Sequence, residues 1–195
     1  MRQIRLAILF AVLSIQYSTP LKSQPQEMNK ISIMERFIPL SNQQKSILSN
    51  ATAKLKASQD SINKNVKDID KAMQLQYDAK QAFHNVFIST LSTSQLIKYV
   101  KVTYTPEIKA KTEYYISLLN EIHKYDEISL TTLRKEIFEY LILEKIVYVK
   151  HKYDYGKQKE NISRLKTIQP KTLKESLNLE KQKGMNKIRN GRITW

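Results

Sequence analysis

From Ser41 onward the apolar residues fall at Leu48, Ala51, Leu55, Ile62, Val66, Ile69, Met73, Tyr77, Phe83 and Phe87. Steps of three, four and seven place them on one stripe of an α-helix. Unbroken, such a helix would run about 70 Å at about 1.5 Å per residue. The polar run Asp60-Ser61-Ile62-Asn63-Lys64-Asn65 is the best place for a break, and a hairpin turning near residues 60–68 is favoured. Either form must bury its stripe, against its own second half or in coiled-coil fashion against a partner chain.

The same periodicity continues. A helix opening at Ser92 carries Leu96, Ile97, Tyr99 and Val100 and is expected to end near Thr103. Thr105-Pro106-Glu107 then reads as a fresh start, with proline at the first helical position and an acid in the first turn. That helix carries Ile108, Tyr115, Leu118, Leu119 and Ile122 on one side. From Ser129 to about Tyr155 the apolar surface is so wide (Ile137, Phe138, Tyr140 to Leu143, Ile146 to Val149) that it predicts a central, mostly buried helix, ended by Gly156. A helix to about Ile168 and another from Pro170 to about Lys183 follow, then a basic tail, 184–195, read as disordered. Neither glycine nor proline occurs between Leu40 and Thr105, which argues against a turn-rich β-protein. The expectation is an all-α fold, elongated hairpins or a bundle with no sheet. Residues 40–183 form one helical domain in two hairpin-like halves, about 40–104 and 105–183.

Helix starts recur in a shared grammar. Leu40-Ser41-Asn42-Gln43-Gln44 and Leu91-Ser92-Thr93-Ser94-Gln95 each place serine at the N-cap and glutamine three residues on, the layout of a capping box. Leu91 can staple onto Leu96, whereas Leu40 faces Lys45 at the equivalent place. Ile128-Ser129 leading to Thr132 and Leu133, and Ile168-Gln169-Pro170 leading to Leu173, keep the staple without the glutamine. Four similar starts suggest two related halves.

The first residues read differently. Arg2 and Arg5 precede the apolar run Leu6 to Ile15, the layout of a secretory signal, with cleavage placed near Ser23. The run is shorter than the roughly 20 residues a membrane span needs, so no transmembrane segment is expected after cleavage. Residues 24–39 form a polar lead-in, either extended or a short helix lying on the core. The protein is expected to be periplasmic or secreted.

Charge narrows the partners. The formal charge is +15, and removal of 1–23 with Arg2, Arg5 and Lys22 leaves about +12. Such a balance favours acidic partners, but the positive residues are dispersed and no nucleic-acid module accompanies them, so specific nucleic-acid binding is not expected. Cysteine is absent, which excludes disulfides, thiol catalysis and zinc–thiolate sites.

Nothing reads as catalytic, and no cofactor is expected. There is no nucleophile elbow and no glycine-rich phosphate loop, since the three glycines all come late. The nearest approach to metal ligands is two local pairs, His123 with Glu127 and His151 with Asp154. Their spacings would share a helix face, yet two ligands do not make a site. The tyrosines are more informative. Tyr99, Tyr125, Tyr153 and Tyr155 are interleaved with Lys98, Lys124, Lys150 and Lys152. Amphipathic aromatics beside cations suit an adaptable surface for unfolded or acidic chains; equally, these rings would serve as helix–helix contacts with their hydroxyls at the rim.

The signal segment, the cysteine-free helical chain, the basic charge and the paired Leu-Ser-x-x-Gln starts together resemble the Spy/CpxP family of periplasmic proteins, named for a repeated LTxxQ motif. The resemblance rests on Leu40, Ser41, Gln44, Leu91, Ser92 and Gln95, with serine in place of the usual threonine, and covers about residues 38–104. It implies a thin helical cradle, often dimeric, that holds unfolding envelope proteins without ATP. Some relatives bind metals in stress sensing. Two other readings stand beside it: a structural or adaptor protein of the envelope that pairs through the 41–90 stripe, and a metal-responsive sensor using His123 and His151.

Overall fold

The computed structural model describes Met34 and residues 36–189, with side chains as far as Gly184. The expected signal segment, most of the lead-in and the last six residues of the tail fall outside the described residues. Helices follow one another as α1 (Asn42–Asn65), α2 (Ile69–Thr90), α3 (Thr93–Asn120), α4 (Glu127–Lys150), α5 (Tyr155–Leu165) and α6 (Lys171–Arg189), with a 3-10 turn at Lys166–Ile168. No strand occurs among the described residues, so the fold is all-α.

The long stripe folds back on itself. α1 leaves the helical conformation at Val66, and Asp68 caps α2 by accepting a hydrogen bond from the Lys71 N–H at 3.0 Å. The turn, at 66–68, lies within the expected 60–68 region, immediately after the polar run that ends at Asn65. Leu48, Ala51 and Leu55 of α1 then meet Phe83 and Phe87 of α2, and Leu96, Tyr99 and Val100 of α3 close this first core. Met34 and Ile38 are both buried in it, and the Ile38 N–H donates to Met34 O at 2.8 Å. The end of the lead-in is therefore a helical turn lying on the core.

A second core joins α3, α4 and α6 through Ile108, Tyr115, Leu119, Ile137, Tyr140, Leu141 and Leu173. Tyr104 and Ile146 pack against both cores. They are the apolar bridge between the α1–α2 hairpin and the rest.

Several sequence expectations need correction. The helix expected to stop near Thr103 does not: α3 runs through Pro106 without interruption. Proline withholds one backbone donor and crowds the carbonyl four residues back. Burial of Tyr99 and Val100 before it and Ile108 after it, in different cores, holds the segment straight through. The division at 104/105 is thus a point inside one helix. Next, α4 is capped by Asp126, whose carboxylate accepts from the Ser129 N–H at 2.7 Å; Ser129 is the third residue of the helix and not its cap. An ionised carboxylate at a helix N-terminus is favoured over a hydroxyl by the dipole. α4 also ends at Lys150, leaving Gly156 inside the first turn of α5. Nor is α4 mostly buried: Leu130, Ile137, Tyr140, Leu141 and Ile142 bury one face, while Ile128, Leu143 and Tyr148 are open to solvent, because only one side of the helix is covered. Lastly, Pro170 O accepts from the Lys174 N–H at 3.0 Å, placing the proline one residue ahead of α6, which continues past Gly184 to Arg189. Residues 184–189 of the tail are accordingly helical.

Candidate functional site

The two Leu-Ser-x-x-Gln motifs meet. Both capping boxes are complete: the Ser41 and Ser92 hydroxyls accept from the Gln44 and Gln95 N–H groups, and each glutamine carbonyl accepts from its own serine N–H, at 3.0 and 2.9 Å. The two amides then pair with each other. Gln44 Nε2 donates to Gln95 Oε1 at 2.9 Å, and Gln95 Nε2 donates to Gln44 Oε1 at 3.1 Å. The second hydrogen of each amide goes to a carbonyl two residues before the other motif's serine: Gln44 to Thr90 O and Gln95 to Pro39 O, each at 2.7 Å. Every donor and acceptor of the pair is used, which makes the node a closed network. Leu40, Leu91 and Leu96 enter the first core beside it. The node fixes how α1 and α3 begin relative to one another.

About 40 residues along, the chain builds a cleft. The corner between α4 and α5 rests on α2, and between them lies a hollow of about 490 Å³. Gln81, His84, Asn85 and Ile88 line it from α2; Lys150, His151, Tyr153, Asp154, Tyr155 and Lys157 line it from the corner. Tyr153 is the seat. Its ring makes edge contacts with Tyr77 and His84, at 5.2 and 5.3 Å between centroids. His84 is buried and also stacks on Phe87, which ties the cleft floor to the first core.

Hydrogen bonds set the corner's shape. Asp154 caps α5, accepting from the Lys157 N–H at 2.9 Å while its other oxygen pairs with Lys157 Nζ at 3.2 Å. These bonds hold the Asp154 carboxyl below its usual range. Gln158 Nε2 donates to His151 O at 2.6 Å. Burial, and then the Lys150 ammonium, push His151 below the ordinary histidine value, against an opposing pull from Asp154. The histidine is therefore neutral over more of the pH range, and the cleft's fixed positive charges are Lys150 and the Asp154-paired Lys157.

Beyond Tyr77 the same side of α2 is bare. Ile69, Met73 and Tyr77 stand at i, i+4 and i+8 with 74%, 58% and 48% of their surfaces exposed. Single exposed apolar side chains are ordinary on a protein surface, but three in helical register form a strip. Three acids and three bases surround it along the chain (Lys67, Asp68, Asp70, Lys71, Asp78, Lys80), so the excess positive charge is at the corner and not along the strip.

The remaining candidates are distributed elsewhere. Tyr99 is 1% exposed, packed against Phe87 and Tyr104 in the first core, so it contributes to folding and not to a surface. Tyr125 is partly buried at the second core beside the His123 ring. Lys152 lies over the Tyr153 ring at 5.1 Å, outside the cleft lining. The metal pairs do not form as read. His123 sits in the loop before α4, so it shares no helix face with Glu127, and its Nε2 instead meets Glu175 of α6 at 2.6 Å. His151 and Asp154 flank a turn, with Asp154 engaged by Lys157. No group of three or more metal-ligating residues exists among the described residues.

Sequence reasoning found the corner half of the cleft and missed the α2 half. Gln81, His84 and Asn85 carry no motif of their own, and they flank Phe83 and Phe87, whose spacing belongs to the first core. The available signal was a second stripe on α2, in which His84 stands seven residues after Tyr77. No helix of the described residues is long and apolar enough to cross a membrane. Comparison with known protein families, with curated proteins and with solved structures returns no match to this chain.

Proposed function

We propose that this protein is an exported, periplasmic helical chaperone that holds partly unfolded or acidic protein clients without ATP. The observation that carries the reading is the strip Ile69–Met73–Tyr77, which leads into the tyrosine- and lysine-lined cleft. An exposed apolar strip gives area to an unfolded segment, and the cations at one end supply attraction at longer range. Export rests on the N-terminal signal pattern, and the family resemblance points to the same role. Aggregation of a chemically denatured test protein, followed by light scattering at low and high salt, tests it. Suppression at stoichiometric protein that weakens with salt is the expected result; no suppression overturns the reading.

The adaptor reading loses part of its basis, because Leu48, Ala51 and Leu55 spend the proximal stripe on Phe83 and Phe87 of the same chain. What remains for a partner helix is the same bare strip. One defined complex in a crosslinking pull-down, with denatured clients unaffected, would favour it. Metal sensing has no assembled ligand set to support it among the described residues.

A further inference from the structure

We propose that the cleft at the α4–α5 corner is a carboxylate-reading site that selects acidic, apolar-flanked extended segments of polypeptide, with Lys150 as the selecting cation. The inference rests on the client-binding reading and names what that site recognises.

The cleft's charges are unequally committed. Asp154, its acid, is satisfied by the backbone N–H and the ammonium of Lys157, so the two side chains neutralise one another. Lys150 projects at the same opening with no carboxylate partner among the described residues. Its field is felt inside the cleft, where it disfavours a proton on His151. The amides of Gln81 and Asn85 add neutral donors on the facing wall. A lone cation, amide donors and a neutralised acid make a setting that accepts one anionic group and repels a second cation.

The neighbourhood says what carries that group. Tyr153 and Ile88 offer an apolar wall, and the Tyr153–Tyr77 contact joins the wall to Met73 and Ile69. From Asn85 to Ile69 is about 24 Å along α2, the span of about seven residues of extended chain. A segment with its carboxylate at Lys150 and apolar side chains laid toward Ile69 satisfies both parts. A nucleic acid would need cations spaced along the track to meet successive phosphates, and along the strip the lysines are matched in number by aspartates instead.

Fluorescence anisotropy of the full purified protein decides this, using labelled peptides of about eight residues that alternate phenylalanine with glutamate, or with glutamine. Tighter binding of the glutamate peptide by about fivefold or more is expected, from one charge-assisted contact in a partly open site. In Lys150→Gln the two peptides should bind alike, and in Lys150→Arg the preference should return. Lys150 is exposed at the end of α4, and circular dichroism of each variant verifies the helix content. Equal binding by the wild type, or a preference that survives Lys150→Gln, overturns the proposal. So does a single-stranded oligonucleotide that binds more tightly than the glutamate peptide and is lost in Lys150→Gln. The aggregation assay run on the same samples separates the two readings. Suppression without peptide preference sinks only the carboxylate site, whereas preference without suppression keeps the site and sinks the chaperone.

Discussion

Removing one glutamine of the amide pair should weaken the fold, and removing the second should cost distinctly less. Gln44→Ala deletes the bonds to Thr90 O and Ser41 N–H, together with both amide–amide bonds. Gln95→Ala deletes the bonds to Pro39 O and Ser92 N–H and the same two amide–amide bonds. At a net 0.5–1.5 kcal/mol or so per bond, reduced because the node is only partly buried, each variant should lose about 2–3 kcal/mol. The double variant has only the unshared bonds left to lose, so the coupling should be about 1–2 kcal/mol. Gln44→Glu gives a sharper test. A carboxylate keeps the cap but cannot donate to Thr90 O or Gln95 Oε1, so it should cost at least as much as alanine. Urea unfolding followed by circular dichroism compares the four variants with the wild type. Additivity within about 0.5 kcal/mol at unchanged denaturant slope would refute the closed network.

Other consequences are more local. Pro106→Ala restores a helix donor at an exposed position inside α3 and should stabilise the protein by about 1–3 kcal/mol, read as a higher urea midpoint. Burial, with Glu180 and Glu144 nearby, raises Tyr115 to about 12, above its unfolded value of 10.0. The folded state therefore holds a proton that the unfolded chain releases. That contribution is complete below pH 10 and is lost as pH climbs towards 12, at up to about 1.4 kcal/mol per pH unit. Tyr115→Phe should flatten this part of the alkaline decline in urea midpoints, leaving the smaller shares of Tyr140 and Tyr148, whose values are raised the same way. His151 works in the opposite direction: its folded value is lowered, so stability falls as pH drops below the unfolded value of 6.5, and His151→Gln should remove that acid slope. Met73→Ser changes a side chain left 58% exposed, and should shift stability by less than about 0.5 kcal/mol while weakening suppression of aggregation.

The all-α fold and the first hairpin were legible because their signals are local. A stripe at helical spacing must be buried, and the polar run Asp60 to Asn65 marked the region, 60–68, where a turn could form without burying unpaired backbone. Pro106 misled for the same reason: local preference favours a start there, and only long-range burial of Val100 and Ile108 outweighs it. At the start of α4, Ile128-Ser129 has the form of the other starts, but Asp126, three residues before Ser129, is the cap. The cleft was half legible. Lys150 to Tyr155 drew notice as an aromatic and basic run, but the wall opposite depends on where α2 lies relative to the corner, and no pattern within α2 specifies that.

What places the two walls opposite one another is the pair of contacts that belong to both cores. Tyr104 of α3 and Ile146 of α4 pack on each side, and Lys145 Nζ lies 4.3 Å over the Tyr104 ring while pairing with Glu107 at 2.8 Å. Ile146 is one turn ahead of Lys150, so any shift of α4 at this bridge moves the selecting cation with it. The node at Gln44 and Gln95 sets the start of α3, and α3 carries Tyr104 after three further turns. The motif that looks like the family signature thus acts on the cleft through a rigid helix and not by touching it. Accordingly, loosening the node should blur the preference for acidic segments as well as lower stability, while Met73→Ser should weaken holding with the preference intact. Finding the preference unchanged in the folded fraction of Gln44→Ala would break that connection and leave the paired caps a purely structural device.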